Sequence, residues 1–149
     1  MVDTIDASPI QILLVEDNPA DVRLVVEALK HTTVRNQLHV VRDGVQAMSF
    51  LHRNGQYVGF PRPHLVLLDL NLPCKDGREV LSEIKQQAGL KRIPVVILTS
   101  SAAEQDIRQV YNLHANCYIA KPLDLSQFLK VVRSIEDFWM KVVRLPSAE

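Results

Sequence analysis

Short, wholly apolar runs, each stopped by polar residues and each set apart by a stretch of helical periodicity, constrain this chain more than any other feature. ILLV stops at Glu16-Asp17, LVLL at Asp69, VVIL at Thr99-Ser100-Ser101, and the run from Cys117 to Ala120 at Lys121-Pro122. Runs of this length without polar alternation read as strands buried on both faces, as in the parallel sheet of an α/β domain. The spacing predicts strands over about Ile10 to Val15, Gln37 to Val41, Leu65 to Leu68, Val95 to Leu98 and Cys117 to Ala120.

The intervening segments carry helix signals. Pro19 opens the first, with Asp17 and Asn18 as capping candidates, and Val22, Val25, Val26 and Leu29 recur at helical spacing. Asp43-Gly44 leads into a second helix whose inward face is expected to include Val45, Met48 and Leu51, ended by Asn54, Gly55 and Gly59. Pro61 and Pro63 fence a loop, and after the third strand DLNLPCKDG leads to a helix from Arg78 to Gln87 with Val80, Leu81 and Ile84 as its stripe. A fourth helix, about Ala102 to Leu113, turns Ile107 and Val110 inward, and a fifth runs from about Leu125 to Trp139. Five strands alternating with five helices through right-handed crossovers predict a parallel sheet covered on both faces. Periodicity does not give the strand order.

A chain of 149 residues suits one domain, expected over 9–140, with a flexible start at 1–8 and a tail at 141–149. Lysine plus arginine and aspartate plus glutamate both number 17, so nothing in the bulk charge favours a nucleic-acid backbone or an anionic membrane. The apolar runs are too short to span a bilayer and MVDTIDASP lacks the basic and apolar regions of a signal peptide, so a cytoplasmic protein is expected. Cys74 and Cys117 form no CxxC pair, and two free thiols are expected, Cys117 as a core residue and Cys74 in a loop.

If the strands are parallel, Glu16-Asp17, Asp69, Thr99 and Lys121 share one edge of the sheet, where such folds bind ligands. Three carboxylates in one crevice repel, and a hard divalent cation, magnesium before others, would relieve them. Asp69 is then a candidate nucleophile toward a phosphoryl group, with Lys121 as fixed cation, Thr99 as hydroxyl donor and the Asn71 carbonyl completing the metal sphere. Each residue also has a plainer reading: Asp17 or Asp69 as a turn or cap residue, Lys121 as a solvated lysine, Thr99 as a β-branched strand end.

ILLVEDNPAD, LLLDLNLPCKDG, VVILTSSA and YIAKP, in this order and spacing, resemble the receiver domain of two-component response regulators over nearly the whole chain. The resemblance implies a flavodoxin-like (βα)5 fold of strand order 2-1-3-4-5 and phosphorylation at Asp69 by a histidine kinase. It further implies magnesium held by Asp17, Asp69 and the Asn71 carbonyl, with Glu16 acting through water; the first acid is often Asp in this family and is Glu16 here. Thr99 and Lys121 match the switch hydroxyl and the lysine, and Tyr118 the aromatic that turns in when the face of helix four, strand five and helix five repacks. NPADVRLVVEALK, LHANCYIAKP and IEDFW resemble, more narrowly, the stand-alone regulators paired with cyanobacterial phytochromes. That subgroup implies a phytochrome kinase as partner and a homodimer, to which Phe138 and Trp139 could contribute, Trp139 being otherwise a cap on the domain's own core.

Three other functions compete. A phosphatase with an aspartyl-phosphate intermediate would carry a second aspartate two residues after the nucleophile, where this chain has Asn71, so no enzyme turnover beyond slow loss of its own phosphate is expected. A pseudo-receiver that binds partners without exchanging phosphate would usually lack one or more of Asp17, Asp69, Thr99 and Lys121. A nucleotide-binding domain would show GxGxxG or GxxxxGK[ST] after the first strand, and neither is present.

Overall fold

The computed structural model describes residues 9–31, 35–99, 104–115 and 117–120. Along the chain run β1 (Ile10–Val15), α1 (Pro19–Lys30), β2 (Asn36–Val41), α2 (Gly44–His52), a 3-10 turn (Gly55–Tyr57), β3 (Leu65–Leu68), α3 (Gly77–Gln86), β4 (Val95–Thr99), α4 (Glu104–Asn112) and β5 (Cys117–Ala120). The strands form one parallel sheet in the order β2-β1-β3-β4-β5, the order that the resemblance implied. The expected fifth helix, the segments 1–8 and 141–149, and Lys121, Phe138 and Trp139 lie outside the described residues.

Alternate residues of the apolar runs feed two cores, as period two requires. Leu13, Val15, Leu68 and Ile97 face Phe50 and Leu51 of α2, Val80, Leu81 and Ile84 of α3 and Val110 of α4. Ile12, Leu14, Leu65, Leu67, Val96 and Leu98 face the other way, against Val22, Val25, Ala28 and Leu29 of α1. Truncating a wholly buried leucine such as Leu81 to alanine would cost about 2–5 kcal/mol, a large share of a domain's stability.

Local chemistry sets the helix ends. Of the two capping candidates before α1, Asn18 is the cap, its Oδ1 accepting the amides of Ala20 (2.9 Å) and Asp21 (3.3 Å). Asp76 caps α3 through the Arg78 amide (2.8 Å), and Glu79 returns to the Asp76 amide (3.2 Å), a closed capping box. In α2 the expectation for Val45 fails: it is 54% exposed, and Ala47, Met48, Phe50 and Leu51 are the buried residues. The reason is phase. Gly44 is pressed against Lys75, so the inward stripe runs through Gly44, Ala47, Met48 and Leu51, and Val45 is turned about 100° away. Arg53 then ends α2 in the left-handed region (φ 57°), its amide and that of Asn54 donating back to Phe50 and Ser49.

Beyond the α2 end, His39, Phe50, Tyr57 and Phe60 pack into a ring cluster with centroids 5.2 to 5.7 Å apart, which no sequence period announces. At the amino-terminal end of the strands, His64 Nδ1 accepts the backbone amide of Gln11 at 3.0 Å, which requires a neutral ring. Burial lowers the His64 pKa from its ordinary 6.5. A group of lowered folded pKa binds fewer protons folded than unfolded, so its contribution is complete above pH 6.5 and declines as pH falls toward the lowered value. His64→Asn, whose Oδ1 can accept the same amide without titrating, should therefore lose less thermal stability than the wild type between pH 7.5 and 5.5, read as unfolding midpoints across roughly that range.

Candidate metal and phosphoryl site

The β1–β3 register pairs Val15 with Leu68, so the residues that follow, Glu16 and Asp69, leave the sheet side by side. The ladder continues through their amides, Asp69 donating to the Val15 carbonyl (3.1 Å) and Glu16 to that of Val41 (3.0 Å). Backbone position is thus fixed by the sheet, and only the side chains are left to the site. Glu16 is 2% and Asp69 7% exposed, the buried charged side chains among the described residues, while Asp17 is exposed.

Each of Glu16, Asp17 and Asp69 offers a carboxylate oxygen within 4.8 Å of the others. At that separation two unit charges repel by roughly 3 kcal/mol at an effective dielectric of about 20. A cation with oxygen ligands about 2.1 Å away spaces those oxygens at roughly 3 to 4 Å, so the donor set fits a hard divalent ion. The Glu16 Oε2 accepts the Asn18 amide (3.2 Å) and the Asp69 Oδ1 the Asn71 amide (3.4 Å), which aims both acids.

The loop that carries Asn71 is clamped from two sides. Gly77, the first residue of α3, donates to the Leu70 carbonyl at 2.9 Å, and a Cβ there would meet the Asp69 carbonyl and sit 2.7 Å from the Leu70 Cα. Gly44 meets the same loop at Lys75, where a Cβ would lie 2.6 Å from the lysine Cβ. Lys75 itself pairs with Glu83 of α3, a hydrogen bond that raises the lysine pKa. Cys74 is exposed in this loop at φ 67°.

The structure brings together three of the acids read from the sequence and places Asn71 two residues on. Thr99 closes β4, opposite Ala120 in the register, at the same sheet edge. Tyr118 in β5 is half-buried against the α3–α4 core, and its amide donates to the Tyr111 hydroxyl of α4 at 3.1 Å. Gly44, Gly77 and Tyr111 were not singled out from the sequence. Close backbone approach and a side-chain wrap over an edge strand leave no periodic signal, although the glycine in each Asp-Gly pair is the only hint available.

Residues 12–133 match the model of the response regulator receiver domain. The chain belongs to that family. It is 56% identical over 140 residues to the response regulator Rcp1 of Synechocystis sp., covering 94% of this chain and 95% of that protein. Among solved structures it is similar to the phosphorylated cyanobacterial phytochrome response regulator RcpA (TM-score 0.90, 54% identity, 94% of this chain and 100% of that one). The Mn2+-bound form of Rcp1 is similar to the same degree (TM-score 0.89, 55% identity, 93% and 100% covered). The chain is thus a receiver closely related to a phytochrome response regulator. No helix of the described residues is long and apolar enough to cross a membrane.

Two variants test the site's physics. Asp17→Asn removes one charge from the cluster, so it should raise the unfolding midpoint in chelator and abolish the rise expected of the wild type in a millimolar divalent cation. Gly77→Ala drives a methyl group into the Asp69–Leu70 backbone and should lower stability by about 2 kcal/mol in chemical denaturation, whereas an alanine at exposed Gly59, with open space around it, should cost far less.

Proposed function

We propose that this receiver accepts a phosphoryl group on Asp69 from the phosphohistidine of a kinase, in a reaction that needs a divalent cation, magnesium in the cell. The observation that carries the reading is the convergence of the Glu16, Asp17 and Asp69 carboxylates within 4.8 Å, with Asp69 buried at the end of β3. In the transfer, an Asp69 carboxylate oxygen forms the new P–O bond as the P–N bond of the donor's ring-protonated phosphohistidine breaks, giving an acyl phosphate and returning a neutral imidazole. A bound cation supplies charge neutralisation for the phosphoryl oxygens. Glu16 and Asp17 hold that cation, and the Asn71 amide keeps one Asp69 oxygen oriented. Thr99 at the β4 end and Lys121 beyond β5 are the hydroxyl and the cation that the family resemblance assigns to the phosphoryl oxygens.

Burial limits attack by water, and Asn71 offers no acid or base where a phosphatase would have a carboxylate, so the product decays slowly and the protein is a phosphoacceptor rather than an enzyme with turnover. The kinase is taken to be a phytochrome, because the relatives RcpA and Rcp1 lead there and the sequence blocks agree. Signalling then passes through the face of α4 and β5, where Tyr118 sits, and the regulator works as a homodimer in the cytoplasm, with Phe138 and Trp139 at the subunit contact.

Intact-protein mass after incubation with acetyl phosphate tests the core of this reading. The wild type should gain about 80 Da, labile to mild base, only when Mg2+ is present, and Asp69→Asn should gain nothing. A folded wild type that gains no mass under these conditions would instead favour a pseudo-receiver that works by binding alone.

A further inference from the structure

Arg78 stands one residue past the clamp between Gly77 and Leu70, and it reaches in two directions. Its Nε donates to Gln109 Oε1 of α4 at 2.9 Å, and its Nη1 lies 3.3 Å from Oδ1 and 3.4 Å from Oδ2 of Asp76. Asp76 in turn caps the helix on which Arg78 sits, through the Arg78 amide at 2.8 Å. The guanidinium therefore fastens the start of α3 to α4 while locking the cap of α3 into shape. Because Gly77 lies in backbone contact with Asp69 and Leu70, any shift of the α3 start is passed directly to the residues that carry the Asp69 carboxylate and the Asn71 amide.

Few side chains of α4 are buried among the described residues. Val110 is its fully buried side chain and Ile107 is half-buried, whereas α3 buries Gly77, Val80, Leu81 and Ile84. The Tyr111 hydroxyl on β5 and the Arg78–Gln109 bond on α3 supplement these apolar contacts. Of these, only the second leads back to the acidic cluster.

We infer that Arg78 is a positioning residue of the metal site, which holds the Asp69–Asn71 backbone in cation-binding geometry by bracing α3 against Gln109 of α4. This rests on the reading of Glu16, Asp17 and Asp69 as a divalent-cation site. The geometry braced is the one in which three carboxylates already converge, so the brace preorganises the site and its loss weakens binding. By linkage, the bound cation must in turn strengthen the hold on α4.

The test is a double-mutant cycle read by Mn2+ titration of the full chain, with free ion followed by electron paramagnetic resonance. Arg78→Ala and Gln109→Ala should each raise the Mn2+ dissociation constant by about three- to tenfold, with the double variant no weaker than Arg78→Ala. Gln109→Glu, which turns the bond into an ion pair, should lower it in the wild-type background and have no such effect when Arg78 is alanine. A general loosening of the fold would not produce a gain with Gln109→Glu, nor make that gain depend on Arg78. Wild-type binding with additive or absent effects at the two positions would overturn the brace. A wild type that binds no Mn2+ would overturn the metal reading and this inference with it, whatever the variants do. Amide exchange gives a second readout: Mg2+ should slow exchange in α4 peptides of the wild type and leave those of Arg78→Ala unchanged.

Discussion

The pairing of Val15 with Leu68 across β1 and β3 is the constraint on which the rest depends. Two strands that are not neighbours in sequence lie side by side because β2 is placed outside β1, and the chain crosses over to resume at β3. That switch in strand order opens a crevice at the carboxyl ends, and the register decides which residues line it. A slip of one residue would turn Leu68 and its alternates to the opposite face and separate Glu16 from Asp69. The two apolar faces of each strand forbid such a slip, so the deep cores on either side of the sheet are what hold two like charges together.

Carboxylates gathered this way oppose folding, and the surroundings show how the opposition is contained. Each buried acid accepts one backbone amide from its own loop, Asn18 for Glu16 and Asn71 for Asp69, so part of its charge is met by fixed dipoles. Asp17 remains exposed, where water screens it. The loop after Asp69 is kept from relaxing away by the close contacts of Gly44 and Gly77 and by the Lys75–Glu83 pair. A site assembled against repulsion and held by its frame is one in which a cation meets ligands already in place, with little ordering left to do.

Strand positions, helix starts and the acids of the site were legible in the sequence for a common reason: each is written as a local pattern. Four apolar letters ended by a carboxylate locate a strand and its functional tip together. What was not legible depends on groups distant in sequence. Asn18 rather than Asp17 caps α1 because Asp17 belongs with Glu16 to the acidic cluster beyond β1. Val45 faces solvent because contact of Gly44 with Lys75, thirty-one positions away, sets the phase of α2. The aromatic cluster around Phe50 draws His39 from β2 and Tyr57 and Phe60 from the turn after α2, and its members look like isolated residues until the strand order brings β2 to the edge.

Among the described residues, the two sides of the site differ in how deeply their helices are packed. On the β3 side, α3 is anchored by four buried positions, a capping box and a glycine contact, all of which serve to hold Asp69 still. On the β4–β5 side, α4 is anchored among its described residues by Val110, by half-buried Ile107 and by two side-chain hydrogen bonds. Elements with few buried apolar contacts open at lower free energy than those with many, so the polar bonds of α4 matter more to its placement than those of α3 do. Tyr118 and Tyr111 are joined by the amide-to-hydroxyl bond, so α4 cannot shift without disturbing the backbone of β5. The acids are thus set on the more deeply packed elements, and the Arg78–Gln109 and Tyr111–Tyr118 bonds tie those elements and β5 to α4.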